Sequence, residues 1–114
     1  MNKMYSYYFR PGYQSQDLLI DVFGGAESET FNSDFLNAIT ELKPKMIDIV
    51  DLWMNDETLM TFDSEVGKFI LSKDIWGFAF VMAENNQEGL HRINSILECS
   101  ELFEKIEVNF ENYK

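Results

Sequence analysis

Cysteine and histidine are almost missing from this sequence, with one of each in 114 residues, Cys99 and His91. A lone cysteine forms no internal disulfide, so the fold is expected to stand without an oxidising compartment. One Cys and one His fall short of the four ligands of a zinc site, and neither a metal nor another cofactor is expected. Glycine-rich phosphate loops are missing too, because Gly24-Gly25 lacks the spacing and the downstream Lys-Ser/Thr of a P-loop. Internal repeats, low-complexity runs and Pro/Ser-rich linkers are absent, which leaves one domain over residues 1–114.

Long apolar runs are lacking as well. None approaches the ~20 residues that cross a bilayer. The opening stretch MNKMYSYYF is broken by Arg10-Pro11-Gly12 before it becomes a signal-peptide core, and a cytoplasmic protein is the expectation. Positive charge is the remaining scarcity. Nine Lys and Arg face 20 Asp and Glu, for a net charge of −11 and a pI near 4.3. Such a chain repels phosphate backbones and anionic lipid, so direct binding to nucleic acid or membrane is disfavoured. Basic surfaces are its natural partners, and the attraction acts more on encounter rate than on final affinity.

What the chain does have is hydrophobic and aromatic material, 46% and 15% of residues, with ten Phe. Tyr5 to Phe9 has strand composition and ends at the Pro11-Gly12 turn. Asp17 to Phe23 (DLLIDVF) fits either a short helix or a strand. A helix is predicted from Ser33 to Leu42, capped by Asn32 or Ser33, with Phe35, Leu36, Ile39 and Leu42 on one face. Pro44 then starts a second predicted helix to about Met54, where Met46, Ile49, Val50 and Trp53 form a stripe opposite Lys45, Asp48, Asp51 and Asn55.

Three strands follow in expectation, Leu59–Phe62, Val66–Lys73 and Ile75–Ala83, with turns near Asp63-Ser64 and Lys73-Asp74. In the last, Trp76, Phe78, Phe80 and Met82 oppose Gly77, Ala79, Val81 and Ala83, and two apolar faces suit a central strand. Asn85 with Glu88 resembles a capping box for a helix to about Cys99 carrying Leu90, Ile93, Ile96 and Leu97. Ile106, Val108 and Phe110 alternate with polar residues as a half-buried strand. The expected fold class is α+β: a single domain whose antiparallel sheet of about four to five strands carries two to three helices mainly on one face.

No catalytic motif emerges, and the chain is not expected to be an enzyme. His91 and Cys99 would be the only nucleophile–base pair, but on one helix eight residues put them ~12 Å apart. Carboxylates are the richer signal. Asp48 and Asp51 would share a helical face, Asp56-Glu57 follow closely, and Asp63 and Glu65 flank a turn. They fit a solvated surface, a cation site or a binding face, although no EF-hand spacing is present. Trp53 and Trp76 lie in apolar patterns and are expected in the core.

The segment WGFAFVMAENNQEGLHRINSILECSELFEKIEVNF, Trp76 to Phe110, reads as strand, polar turn, amphipathic helix and edge strand. With the acidic balance, it resembles immunity proteins of bacterial polymorphic-toxin and contact-dependent growth-inhibition systems. The resemblance implies a cytoplasmic protein that binds and neutralises a cognate toxin domain, in many cases a nuclease with a basic substrate site. Charge then suggests an interface around Asp48, Asp51, Asn55, Asp56 and Glu57, extended to Asp63 and Glu65. The competing readings are an acidic nucleic-acid mimic that inhibits a DNA- or RNA-binding protein, and a small metal-binding or enzymatic domain.

Overall fold

A computed structural model describes residues 4–12, 17–83 and 85–108. Its strands are β1 (Tyr5–Pro11), β2 (Leu18–Gly24), β3 (Lys45–Leu52), β4 (Glu57–Asp63), β5 (Phe69–Asp74), β6 (Ala79–Met82) and β7 (Phe103–Lys105). The helices are α1 (Phe31–Ala38) and α2 (Gln87–Glu98), with single 3-10 turns at Thr40–Leu42 and Trp53–Asn55. All seven strands join one sheet in the order β3-β4-β5-β6-β2-β1-β7. Every pairing is antiparallel except β1 with β7. The exception follows from connectivity, since α2 carries the chain from β6 across β2 and β1 to β7, and a helical crossover delivers a parallel strand. The single mixed domain with helices on one face matches the expected class, but the sheet is wider than expected and is not wholly antiparallel.

The strand register explains the core. Tyr5, Tyr7 and Phe9 alternate inward along β1, and the pairing extends that inner face through Ile20, Val22, Ala79, Val81, Phe69, Leu71, Met60 and Phe62. Both helices lie on this side. Phe31 and Phe35 of α1 and Leu90, Ile93 and Leu97 of α2 are buried against it. Aromatic rings tie the layers together: Tyr5 meets Phe31 edge-on at 5.2 Å and Phe103 at 5.0 Å, while Phe35 meets Phe69 at 6.3 Å. Ring pairs of this kind contribute roughly 0.5–1.5 kcal/mol each beyond their buried area.

Several boundaries differ from the sequence reading. Asp17–Phe23 resolves as strand β2. Thr30 caps α1 in position without a side-chain bond, and Asn86 rather than Asn85 caps α2, its side chain accepting the Gly89 N–H at 3.2 Å. The expected strand from Ile75 begins only at Ala79, because Asp74 Oδ1 accepts the N–H groups of Trp76 and Phe78 and holds 75–78 as a turn. Gly77 supplies the positive φ of 90° that this turn requires. The terminal strand comes earlier than expected, at Phe103–Lys105, with Ile106 and Val108 outside it; Phe110 lies outside the described residues.

The largest correction concerns Pro44 to Met54. No helix forms there; residues 45–52 are strand β3. Lys43 takes a left-handed conformation with φ 52°, which ends the preceding 3-10 turn and redirects the chain at Pro44. Ile47, Ile49 and Val50 are β-branched and favour extended backbone. Met46, Ile49, Val50 and Trp53 do satisfy helical spacing, but pairing with β4 decides the conformation.

Two buried polar contacts yield stability predictions. Tyr7 donates its hydroxyl to Asn94 Oδ1 at 3.0 Å, and Asn94 is buried in α2. Tyr7→Phe is expected to lower unfolding free energy by about 1–3 kcal/mol by leaving that acceptor dry. Tyr8→Phe, on the opposite face, is expected to change it by less than about 0.5 kcal/mol. Urea denaturation of both variants gives the comparison.

On that opposite face Asp21 is buried with Oδ2 bound by Arg10 at 3.0 and 3.1 Å, while Oδ1 has no hydrogen-bond partner among the described residues. Burial outweighs the Arg10 hydrogen bond and charge, and raises the carboxyl above its ordinary 3.8. A raised carboxyl group stabilises the fold while protonated; that contribution is complete below the unfolded value and is lost as pH rises through the folded one. Asp21→Asn removes the ionisation. The stability of wild type relative to this variant should therefore fall as pH rises above the ordinary carboxylate value of 3.8. A rise with pH instead, measured by urea denaturation, would mean that Arg10 outweighs burial.

Candidate functional site

Seven strands spaced about 4.8 Å apart make a sheet roughly 29 Å wide, whereas two helices of about 10 Å each cover a narrower band. The consequence appears at β3, the edge farthest from α2. From Lys45 to Asp51 every residue of β3 is exposed, on both faces of the sheet. The Trp53–Asn55 turn that joins β3 to β4 then meets the 75–78 turn, where Ile75 donates its N–H to the Asp56 carbonyl at 3.2 Å.

This corner gathers apolar side chains that the described residues leave mostly exposed. Ile49 is 57% exposed, Trp53 73%, Met54 80%, Ile75 68% and Trp76 65%. The expectation that Trp53 and Trp76 belong to the core is thus overturned: each sits in a turn at the sheet's end and is mostly exposed, although Asn32 of α1 reaches the groove beside Trp53. Grouped exposed apolar chains of this size mark interaction surfaces, and Trp is enriched at their energetic centres. Between Ile49, Trp53 and Ile75 runs a groove of about 410 Å³ whose floor includes Thr58, Met60 and Lys73.

The acidic residues divide in two. Asp51, Asp56 and Glu57 line this groove, and Asp56 holds a left-handed φ of 53° that turns the chain into β4. Asn55 ends the 3-10 turn beside them. Glu57 is partly engaged within the fold, accepting the Ser72 hydroxyl at 2.7 Å. Asp48 lies mid-strand. A helix would have placed Asp48 and Asp51 together; in the strand they oppose Thr61 and Thr58, on opposite faces of the sheet. Asp63 and Glu65 stand at the other end of the β3–β4 hairpin, ~20 Å along the strand. There Asp63 pairs across from Lys45 and accepts the Ser64 N–H at 2.9 Å, and Glu65 meets Lys43 at 3.3 Å. Lysines offset that end, so the acidic corner is the Asp51–Glu57 end.

Other features of the molecule hold less chemistry. His91 packs edge-on against Phe9 at 5.1 Å, on the same helix that Cys99 caps, so the two do not form a pair. Among the described residues, no three of His, Cys, Asp and Glu are grouped as metal ligands. A larger cavity of about 680 Å³ lies beside the start of α2, but Asn86 in its wall is occupied, donating to Val66 and Lys68 carbonyls at 2.7 and 3.2 Å. Among the described residues no helix is long and apolar enough to cross a membrane. No protein-family model matches the chain, and neither a curated protein nor a solved structure matches it significantly.

The acidic signal was legible in the sequence, but its apolar half was missed, since Ile49, Trp53 and Trp76 read there as core. Because these side chains are mostly exposed, Ile49→Thr and Trp53→Ser are expected to shift unfolding free energy by no more than about 0.5 kcal/mol. A loss of about 3–5 kcal/mol for Trp53→Ser, the range for a core aromatic, would contradict the exposed placement. Thermal or urea denaturation distinguishes the two.

Proposed function

We propose that this protein binds and neutralises a basic bacterial toxin domain, of nuclease type, by covering its active or substrate-binding surface with the β3 corner. The supporting observation is the interleaving of carboxylates and bare apolar side chains on one uncovered edge: Asp48, Asp51 and Asp56 among Ile49, Trp53 and Met54. A nuclease holds phosphates with Arg and Lys, and the same cations pair with carboxylates. Trp53 and Ile49 supply the contact that becomes dry at the centre of the interface.

The same interleaving argues against the nucleic-acid mimic. A mimic places carboxylates like successive phosphates on a wet surface, whereas here large apolar groups stand between them and gain only from a complementary protein surface. The sequence resemblance to immunity proteins agrees with this reading, as does a net charge of −11.

The test is co-expression with the product of the adjacent gene, followed by co-purification, calorimetry and a growth-protection assay. A stable complex is expected whose affinity falls with salt, and in which Trp53→Ala weakens binding on the order of 30-fold or more, the effect of a central hot spot. Absence of both binding and protection would sink the proposal.

A further inference from the structure

The two edges of the sheet are built differently. β7 is three residues long, and its Lys105 is tied to Glu98 of α2 at 2.7 Å. Short, charged edges of this kind resist further pairing. β3 is eight residues long, pairs with β4 alone among the described residues, and exposes Met46, Ile47, Ile49 and Val50. An edge strand leaves a row of N–H and C=O groups unpaired along its outer side, a template for another strand. A bulge lies between Met46 and Asp48, at the start of β3, and regular pairing with β4 runs from Asp48 to Leu52.

We infer that β3 takes up an extended, basic segment of its partner as an eighth strand of the sheet. This rests on the protein-binding reading above and specifies its mode. The register sorts the side chains such a strand would meet. Met46, Ile49 and Asp51 lie opposite Phe62, Met60 and Thr58, on the side that carries the helices, so that the row is apolar from Met46 to Ile49 and ends on a carboxylate. Asp48 lies opposite Thr61 on the other side, which also carries Glu57 and Asp63 of β4. An incoming strand that alternates apolar and cationic residues therefore places its apolar row beside Met46 and Ile49 and its cations beside Asp48. Lys or Arg stems would cover Val50 on the way. A second copy of this chain is the poorer occupant, because it brings another Asp48 and Asp51, and another −11 of net charge, to the same edge.

The probe is a synthetic peptide of alternating Lys and Val, about eight residues long to match β3, added to the full chain. Amide hydrogen exchange followed by NMR should slow at least about tenfold at alternate residues of 45–52, the pattern of a newly paired edge. Methylating the peptide's amide nitrogens along one edge should weaken binding by at least about tenfold, and replacing Lys by Glu should abolish it. Protection confined to residues 53–56 and 75–78 would overturn strand addition while leaving the binding corner intact. Failure of the peptide to bind would also overturn strand addition, and the co-purification assay would then judge the corner separately. Protection of β3 in the peptide-free protein that grows with its concentration would assign the edge to a second copy instead.

Discussion

A sheet of seven strands cannot be roofed by two helices, and the remainder of this molecule follows from that mismatch. The helices settle where the aromatic side chains are. Tyr5, Phe31, Phe35, Phe69 and Phe103 form a continuous set of ring contacts that fixes α1 over the sheet and draws β7 against β1. Ordering large rings costs little rotamer freedom for the area buried, so a chain of this size gains most of its core from a few of them. Once these positions are filled, no helix among the described residues covers β3. Its side chains remain in water on both faces.

That bare edge gives the acidity of the chain a location. Net charge alone describes solubility and encounter rate. Here Asp51, Asp56 and Glu57 line a groove bounded by Ile49, Trp53 and Ile75, with Lys73 in its floor, so charge and apolar contact occupy the same surface. At the far end of the hairpin, Lys43 and Lys45 offset Glu65 and Asp63. Polarity is therefore uneven along β3, and under the proposed function a basic partner would meet its strongest attraction at the corner where the Trp53 and Ile75 turns join.

The contrast between the two edges bears on which strands could add to the sheet. β7 is short and bound to α2 through the Lys105–Glu98 pair. β3 carries Asp48 and Asp51 and begins with a bulge, devices that discourage indiscriminate pairing. These same features discriminate by charge. Like-charged strands are repelled, and a cationic strand meets a surface that is open and acidic.

Much of the fold was legible from local pattern. β1, α1, α2 and the β4–β5 hairpin carry periodicities imposed by burial on one face. The cap of α2 reads one residue early in the sequence, at Asn85 instead of Asn86, and the turn after Asp74 reads as strand, because each depends on which side chain reaches a backbone N–H. The division of β6 into an Ala79–Val81 face and a Phe80–Met82 face was legible from alternation, but with both faces apolar only the structure shows that Ala79 and Val81 point inward. β3 was not. Burial did not select the positions of Met46, Ile49, Val50 and Trp53, so their helical spacing carried no information about which surface they face. The sequence by itself determined the acidic character, the mixed class and most of the core, because these depend on composition and on neighbours a few residues apart. Tertiary structure alone decided that 45–52 is an edge strand, that Trp53 and Trp76 are exposed, and that Asp51 and Asp56 share a groove with Ile75. Those outcomes depend on strand order and on how far two helices reach across seven strands, and neither is a local property of the chain.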